Sequence, residues 1–282
     1  MFEQITILGP GLLGASVAMA VKAHGLATRV HTWSRRESTR SKCAEQDWCD
    51  AVMDSPDAAV AGSDLVIVCT PVETIVSLIA SVKEAIRPDA LITDVGSTKG
   101  QICEGMAQLL GTGGPVFVGS HPMAGSERTG LEHAQVDLLA GAACIVVPPE
   151  AESVAADCIA AFWTALGMRT FTMTAREHDA IVAHVSHLPH LMASALCAYL
   201  AEKSPDAQWL ELSGGGFRDT TRVAGGDEEL WKQILMGNRQ EVIAAIEGFE
   251  AELDQFKSAL QSGRPDVLKS FLGKGRSYRE RL

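Results

Sequence analysis

The sequence predicts an α/β protein, with an N-terminal doubly wound sheet over residues 1–172 and an all-helical region over residues 173–282. Three observations carry this reading. Short apolar runs alternate with longer helical stretches through the first half. A glycine-rich turn joins the first run to the first helical stretch. Strand-like runs disappear after Ala175, where long helical stretches take over. Strand–helix alternation reads as βαβ units feeding a parallel sheet.

The first element is the strand 5–8, Ile5-Thr6-Ile7-Leu8. Gly9-Pro10-Gly11-Leu12-Leu13-Gly14 follows at once, and the pattern over 15–24 is helical. This is the strand–turn–helix frame of a Rossmann dinucleotide site. Gly9 permits the tight turn, Gly11 lets the backbone approach a pyrophosphate, and Gly14 lets helix and strand pack closely. Leu12 and Leu13 stand within the same motif, where the helix N-terminus faces the phosphates. The second strand, 29–33, runs into Ser34-Arg35-Arg36, with no acid until Glu37. An NAD site places a carboxylate here for the ribose 2′-hydroxyl, whereas a hydroxyl and two guanidiniums suit a 2′-phosphate. NADP is therefore favoured, with NAD the alternative. The third strand, 65–69, ends at Thr70-Pro71, on the carboxyl edge where the cofactor would run.

Strands are predicted also at 91–94, 116–118, 143–147 and 169–173, with helices at 74–86 and 151–166. The domain boundary falls near 169–174. Beyond it, helices are expected at 177–202, 230–260 and 265–272, with a glycine-rich loop at 213–217. Helices this long need a partner surface for their apolar stripe, so a homodimer is expected.

The 282 residues carry a formal net charge of −11, which argues against nucleic acid or an anionic membrane as the main partner. A small anionic substrate needs only a locally positive pocket. No signal-type N-terminus and no apolar stretch of about 18 residues is read from the sequence, so no membrane span is expected. The seven cysteines are scattered without a Cys-x-x-Cys pair, which suggests reduced thiols and a cytoplasmic protein.

Chemistry-bearing residues cluster in a few segments. Asp94-Val95-Gly96-Ser97-Thr98-Lys99 and Ser120-His121-Pro122-Met123-Ala124-Gly125-Ser126-Glu127 each follow a strand. His187-Leu188-Pro189-His190 and Phe217-Arg218-Asp219-Thr220-Thr221-Arg222 lie in the helical region. His184, His187 and His190 are spaced three apart. Pro189 is expected to interrupt their helix, and no carboxylate nearby completes a ligand set, so no metal site is expected.

The glycine motif, DVGSTK, SHPMAGSE, HLPH and GFRDTTRVA, in this order, resemble the prephenate/arogenate dehydrogenase family of tyrosine biosynthesis, over 5 to about 272. The resemblance implies a Rossmann domain followed by a helical dimerisation domain. It implies oxidative decarboxylation of prephenate to 4-hydroxyphenylpyruvate, or of arogenate to tyrosine, with hydride passing to NAD(P). On this likeness His121 is the catalytic histidine at the substrate 4-hydroxyl, and Ser97 orients it and the nicotinamide. Ser97 also stands where it could cap the helix starting near Lys99. Arg222 matches the arginine for a substrate carboxylate. His190 matches a pocket histidine, with His187 beside it. Glu127 matches a gating carboxylate, Trp231 an apolar wall, and Arg218 a loop residue that faces the partner subunit's site. Two other readings stay open: a β-hydroxyacid dehydrogenase-like enzyme, which would rely on a catalytic lysine, and a catalytically silent NADP-sensing module.

Overall fold

In the computed structural model, all residues are described except 126, 127, 129, 150–152, 205 and 282. Eight strands form one sheet in the order β3-β2-β1-β4-β5-β6-β7-β8. They are β1 Phe2–Leu8, β2 Ala27–Trp33, β3 Ala51–Val52, β4 Leu65–Val68, β5 Leu91–Asp94, β6 Val116–Pro122, β7 Ala143–Val147 and β8 Arg169–Thr172. Helices α1 Leu12–Ala23, α2 Glu37–Ala44, α3 Pro56–Val60, α4 Val72–Val82, α5 Gly100–Leu110 and α6 Val154–Ala165 cover its two faces. The period-two alternation of a strand sorts the core. Ile5, Ile7, Leu65 and Ile67 pack toward Val17, Val21 and Trp163 on one side. Leu8, Val66 and Val68 pack toward Ile75, Ile79 and Met106 on the other. The strand order reverses between β1 and β4, so the crevice at their carboxyl ends is the ligand position of a doubly wound sheet.

Two features depart from the sequence reading. Residue pair β3 was not expected, being only Ala51–Val52 beside β2. The sheet is also not wholly parallel, because β7 runs antiparallel to β6, with His121 opposite Ile145. The β6–β7 connection has no crossover helix among its described residues, only the single turn Leu131–His133. Without a crossover the chain returns along the neighbouring strand in the opposite sense.

The helical region comprises α7 Ala175–Val182, α8 Leu188–Lys203, α9 Gln208–Glu211, α10 Gly215–Thr221, α11 Glu228–Gly237, α12 Arg239–Gln261 and α13 Pro265–Arg279. A π-helical turn, Ala183–His187, joins α7 to α8. Pro189 thus does not stop the helix. It sits in the first turn of α8, where a missing N–H costs little, and the wider turn before it absorbs the ring. The resulting 29-residue helix, Ala175–Lys203, is long and apolar enough to cross a membrane by length and composition, contrary to the expectation of no such stretch. It was missed because polar residues and Pro189 divide its apolar runs. Here it carries four titratable side chains into the site, and its Ala183 packs on Val242 and Ala245 of α12.

The helix expected over 230–260 breaks into α11 and α12 at Asn238, which leaves helical geometry with φ −120° and ψ 30°. Asn238 is buried and donates from Nδ2 to the Asp179 carbonyl at 2.7 Å. The glycine-rich segment is partly helical, since α10 begins at Gly215.

Candidate active site

The cofactor end is built by the β1–α1 turn. Gly9 has φ +92°, and a Cβ there would lie 2.9 Å from the Cys69 carbonyl oxygen. At Gly14 a Cβ would lie 2.6 Å from the Gly9 carbonyl oxygen, so a side chain would force α1 away from β1. Among the described residues, a Cβ on Gly11 would meet no atom beyond its chain neighbours within 4 Å, and Gly11 lines an open cleft. The cleft has a volume of about 740 Å³, and its wall includes Gly9, Gly11, Ser34, Arg35, Arg36, Thr70 and Pro71. Thr39 and Lys42 of α2 extend the polar end of the wall. Leu12 and Leu13 are not on it: Leu12 opens α1, and Leu13 packs against the core.

Arg40 organises the 34–36 corner by donating from Nη1 to the carbonyls of Ser34 at 2.8 Å and Arg35 at 3.2 Å. Two buried polar atoms on the cleft wall, Trp33 Nε1 and Thr70 Oγ1, have no protein partner among the described residues. Buried polar groups are ordinarily hydrogen-bonded, so these two fit a bound polar ligand. Glycine cradle, cleft and orphaned donors together fit a dinucleotide.

The chemistry end is built by β6 and α7. His121 lies near the end of β6 and is 7% exposed. Its Nδ1 is 2.8 Å from Nε2 of His178. Nδ1 of His178 is 2.7 Å from Oδ1 of Asp179. Asp179 in turn accepts from the Lys99 amide through Oδ1 and from the Gly100 amide through Oδ2, both at 2.8 Å. Asp179 therefore caps α5 from another part of the chain. Ser97 does not supply that cap; it lies half-buried in the β5–α5 turn. Lys99 is fully buried and paired with Asp94, whose carboxylate also accepts from the Gly96 and Ser120 amides.

Burial drives the His121 pKa well below its ordinary value, and the nearby His178, Lys99 and His187 act in the same sense. The ring is neutral at neutral pH. Burial also lowers His178, against the opposing pull of Asp179. For Asp179, burial acts upward, but hydrogen bonds from His178 and the two amides outweigh it and hold the group below its usual range.

The helical region brings His187, His190 and Trp231 together, none of which lines the cleft described above. His190 is buried and stacks on Trp231, with centroids 3.5 Å apart and planes 12° from parallel. His190 Nδ1 has no protein partner among the described residues, and burial lowers its pKa. Gly226 leaves room for this pair, since a Cβ there would lie 2.6 Å from Trp231 Nε1 and 3.3 Å from His190 Cε1. His187 meets Trp231 edge-on and faces Asn238 Nδ2 at 3.3 Å, and burial pulls its pKa down to about 4. The third histidine of the series points elsewhere, since His184 bonds the Ala180 carbonyl of its own helix. Arg222, in the turn after α10, and Arg218, on α10, are both exposed. Glu127 lies outside the described residues.

Sequence reasoning missed His178, Asp179 and Asn238, and it gave no role to Lys99. One signal was available. Thr174 and Glu177 form a capping box, which fixes a helix start and puts His178 and Asp179 in its first turns. That the pair reaches across to α5 and β6 is a tertiary fact.

A glycine-cradled cleft at the switch point of a doubly wound sheet, in a chain that also holds a neutral buried histidine on β6, defines a nicotinamide-dependent dehydrogenase. The nucleotide-binding-domain model of prephenate dehydrogenase matches residues 17–172, and the prephenate dehydrogenase dimerization-domain model matches residues 174–274. The chain belongs to the prephenate dehydrogenase family. It is 32% identical to the cyclohexadienyl dehydrogenase of Zymomonas mobilis, covering 95% of this chain and 92% of that protein. Among solved structures, prephenate dehydrogenase from A. aeolicus in complex with hydroxyphenyl propionate and NAD+ superposes with a TM-score of 0.92 and 28% identity, over 100% of this chain and 98% of that one. Synechocystis arogenate dehydrogenase superposes with a TM-score of 0.85 and 28% identity, over 99% of each chain.

Proposed function

We propose that this chain oxidatively decarboxylates prephenate to 4-hydroxyphenylpyruvate, with His121 as the group that handles the 4-hydroxyl proton. The observation that carries this reading is a buried, neutral His121 anchored through Nδ1, which leaves its other nitrogen for a substrate hydroxyl. A bound nicotinamide would accept the hydride that leaves the hydroxyl-bearing carbon. His121 takes the hydroxyl proton as that bond breaks and returns it when loss of the ring carboxylate as CO2 makes the ring aromatic. Ser97, in the turn after β5, orients His121. Arg222 holds a substrate carboxylate, because a guanidinium fork matches it with two hydrogen bonds. The unsatisfied Nδ1 of His190 supplies a further polar contact, Trp231 the flat wall behind it, and His187 the edge of that wall. Glu127 is assigned as the gating carboxylate, and Arg218 as a residue facing the partner subunit's site.

Within the same reading the dinucleotide is NADP. Ser34, Arg35 and Arg36 line the cleft where the 2′-phosphate would sit, and Arg40 holds their backbone in place. The division of the chain lies at 172/173, where β8 ends and α7 is about to begin. The functional unit is a homodimer, supported by exposed apolar side chains on the helices, among them Tyr199, Met236, Ile243, Leu260 and Leu272. All seven cysteines are free thiols, which supports a reducing, cytoplasmic setting.

The test is turnover by the purified protein, with reduced cofactor followed by absorbance, offering prephenate or arogenate with NADP or NAD. Activity on prephenate with NADP is the expected result. Activity on arogenate alone would move the substrate assignment, and no activity with any combination would overturn the reading.

A further inference from the structure

We infer that His178 and Asp179 are positioning residues for His121: they fix which of its ring nitrogens carries the proton and share the charge when it takes a second one. This rests on His121 acting as the base proposed above.

The argument follows donors and acceptors from one end. Two backbone amides, of Lys99 and Gly100, point at the Asp179 oxygens, so this carboxylate is held in its acceptor form. His178 Nδ1, at 2.7 Å, must then donate to it. A neutral imidazole has one donor and one acceptor, so His178 Nε2 is bare. It accepts from His121 Nδ1 at 2.8 Å, which makes His121 Nε2 bare as well. Each link admits one solution, and the chain ends on an unprotonated Nε2 of His121, the nitrogen that does not face His178.

The charged and titratable groups around the two rings are Lys99 from the β5–α5 turn, its partner Asp94 at the end of β5, Asp179 from α7, and His187 from the π-helical turn. Lys99 disfavours imidazolium, while Asp179 favours it at His178. When His121 Nε2 takes the substrate proton, the O–H bond breaks and an N–H bond forms. The Nδ1 proton moves along its hydrogen bond to His178 Nε2, and positive charge comes to rest beside Asp179. Aromatisation reverses the sequence, so no proton is gained or lost overall. The arrangement also ties α7 to the N-terminus of α5, so the base is aligned only when the two regions are packed together.

Nitrogen-15 NMR of the ligand-free wild-type protein is the direct test, because it reads the His121 tautomer without any turnover. His121 is expected to show a protonated Nδ1 and an unprotonated Nε2. A protonated Nε2 would overturn the inference. In Asp179→Asn the carboxylate charge that steadies a protonated His178 is lost. With it kcat should fall about 10²- to 10⁴-fold, with cofactor affinity unchanged. The acid limb of kcat/KM should move to lower pH, which a purely structural defect would not cause. His178→Gln keeps an acceptor for His121, whereas His178→Leu does not, so Gln should retain at least about tenfold more kcat. Equal losses in these two variants, or an Asp179→Asn enzyme within about threefold of wild type with an unmoved pH profile, would refute the role. If the wild type turns over no substrate, the base assignment fails, and the tautomer measurement still decides whether this chain of hydrogen bonds exists.

Discussion

Replacing His187 by Gln should flatten the acid sensitivity of the fold by about one proton. His187 is 1% exposed, and burial lowers its pKa from 6.5 to about 4. The unfolded chain therefore binds a proton here between these two values while the folded chain does not. Stability from this group is full above pH 6.5 and is lost as pH falls toward 4. At about 1.4 kcal/mol per pKa unit, the full loss is about 3.4 kcal/mol, of which about 2 kcal/mol is gone between about pH 7 and pH 5. His31, His121, His178 and His190 are displaced in the same direction, so the wild type should lose more than this in total. The difference between wild type and His187→Gln isolates one group. Urea titrations followed by tryptophan fluorescence at the two pH values give it. Loss of the Asn238 contact shifts both titrations of the variant equally and drops out. If wild type and variant lose the same stability between the two pH values, His187 is not buried as a neutral ring.

Four further predictions concern the site. His121→Asn should lower kcat at least about 100-fold while leaving cofactor affinity nearly unchanged, as measured by steady-state kinetics and cofactor titration. Arg222→Gln should mainly raise the KM for prephenate, by about tenfold or more for a charge-assisted pair; an unchanged KM would remove it from the pocket. Arg35→Ala should weaken NADP by about tenfold or more and leave NAD nearly untouched, since a bond between charged groups contributes about 1.5–3 kcal/mol. Gly14→Ala should destabilise the protein by about 1–3 kcal/mol and impair both cofactors alike, because its Cβ would meet the Gly9 carbonyl oxygen at 2.6 Å.

Much of this molecule is written locally. The glycine turn is legible because each glycine answers a backbone requirement set within a few residues: a positive φ at Gly9, an open face at Gly11, a close approach at Gly14. The strands at Leu91–Asp94 and Ala143–Val147 are legible because each is a short apolar run bounded by turn residues, too short for a helix. His121, Arg222 and His190 stand in motifs that the sequence shows outright. The sense of β7, the continuity of the helix across Pro189 and the break at Asn238 are not legible in this way, because each depends on what the segment packs against. Asn238 leaves the helix while its side chain meets a carbonyl on α7, a contact 59 residues away in sequence.

By itself, then, the sequence determined a dinucleotide turn and a helical second half, since these follow from short-range stereochemistry, and it pointed to His121 as the candidate base through a motif. Only the tertiary structure decided how that histidine is held. Asp179 stands 80 residues from the amide it caps, and His178 stands 57 from the ring it touches. Hydrogen bonds of this kind are set by the docking of α7 against α5 and β6, and a buried carboxylate can define a proton's position only once that docking has excluded water from around it.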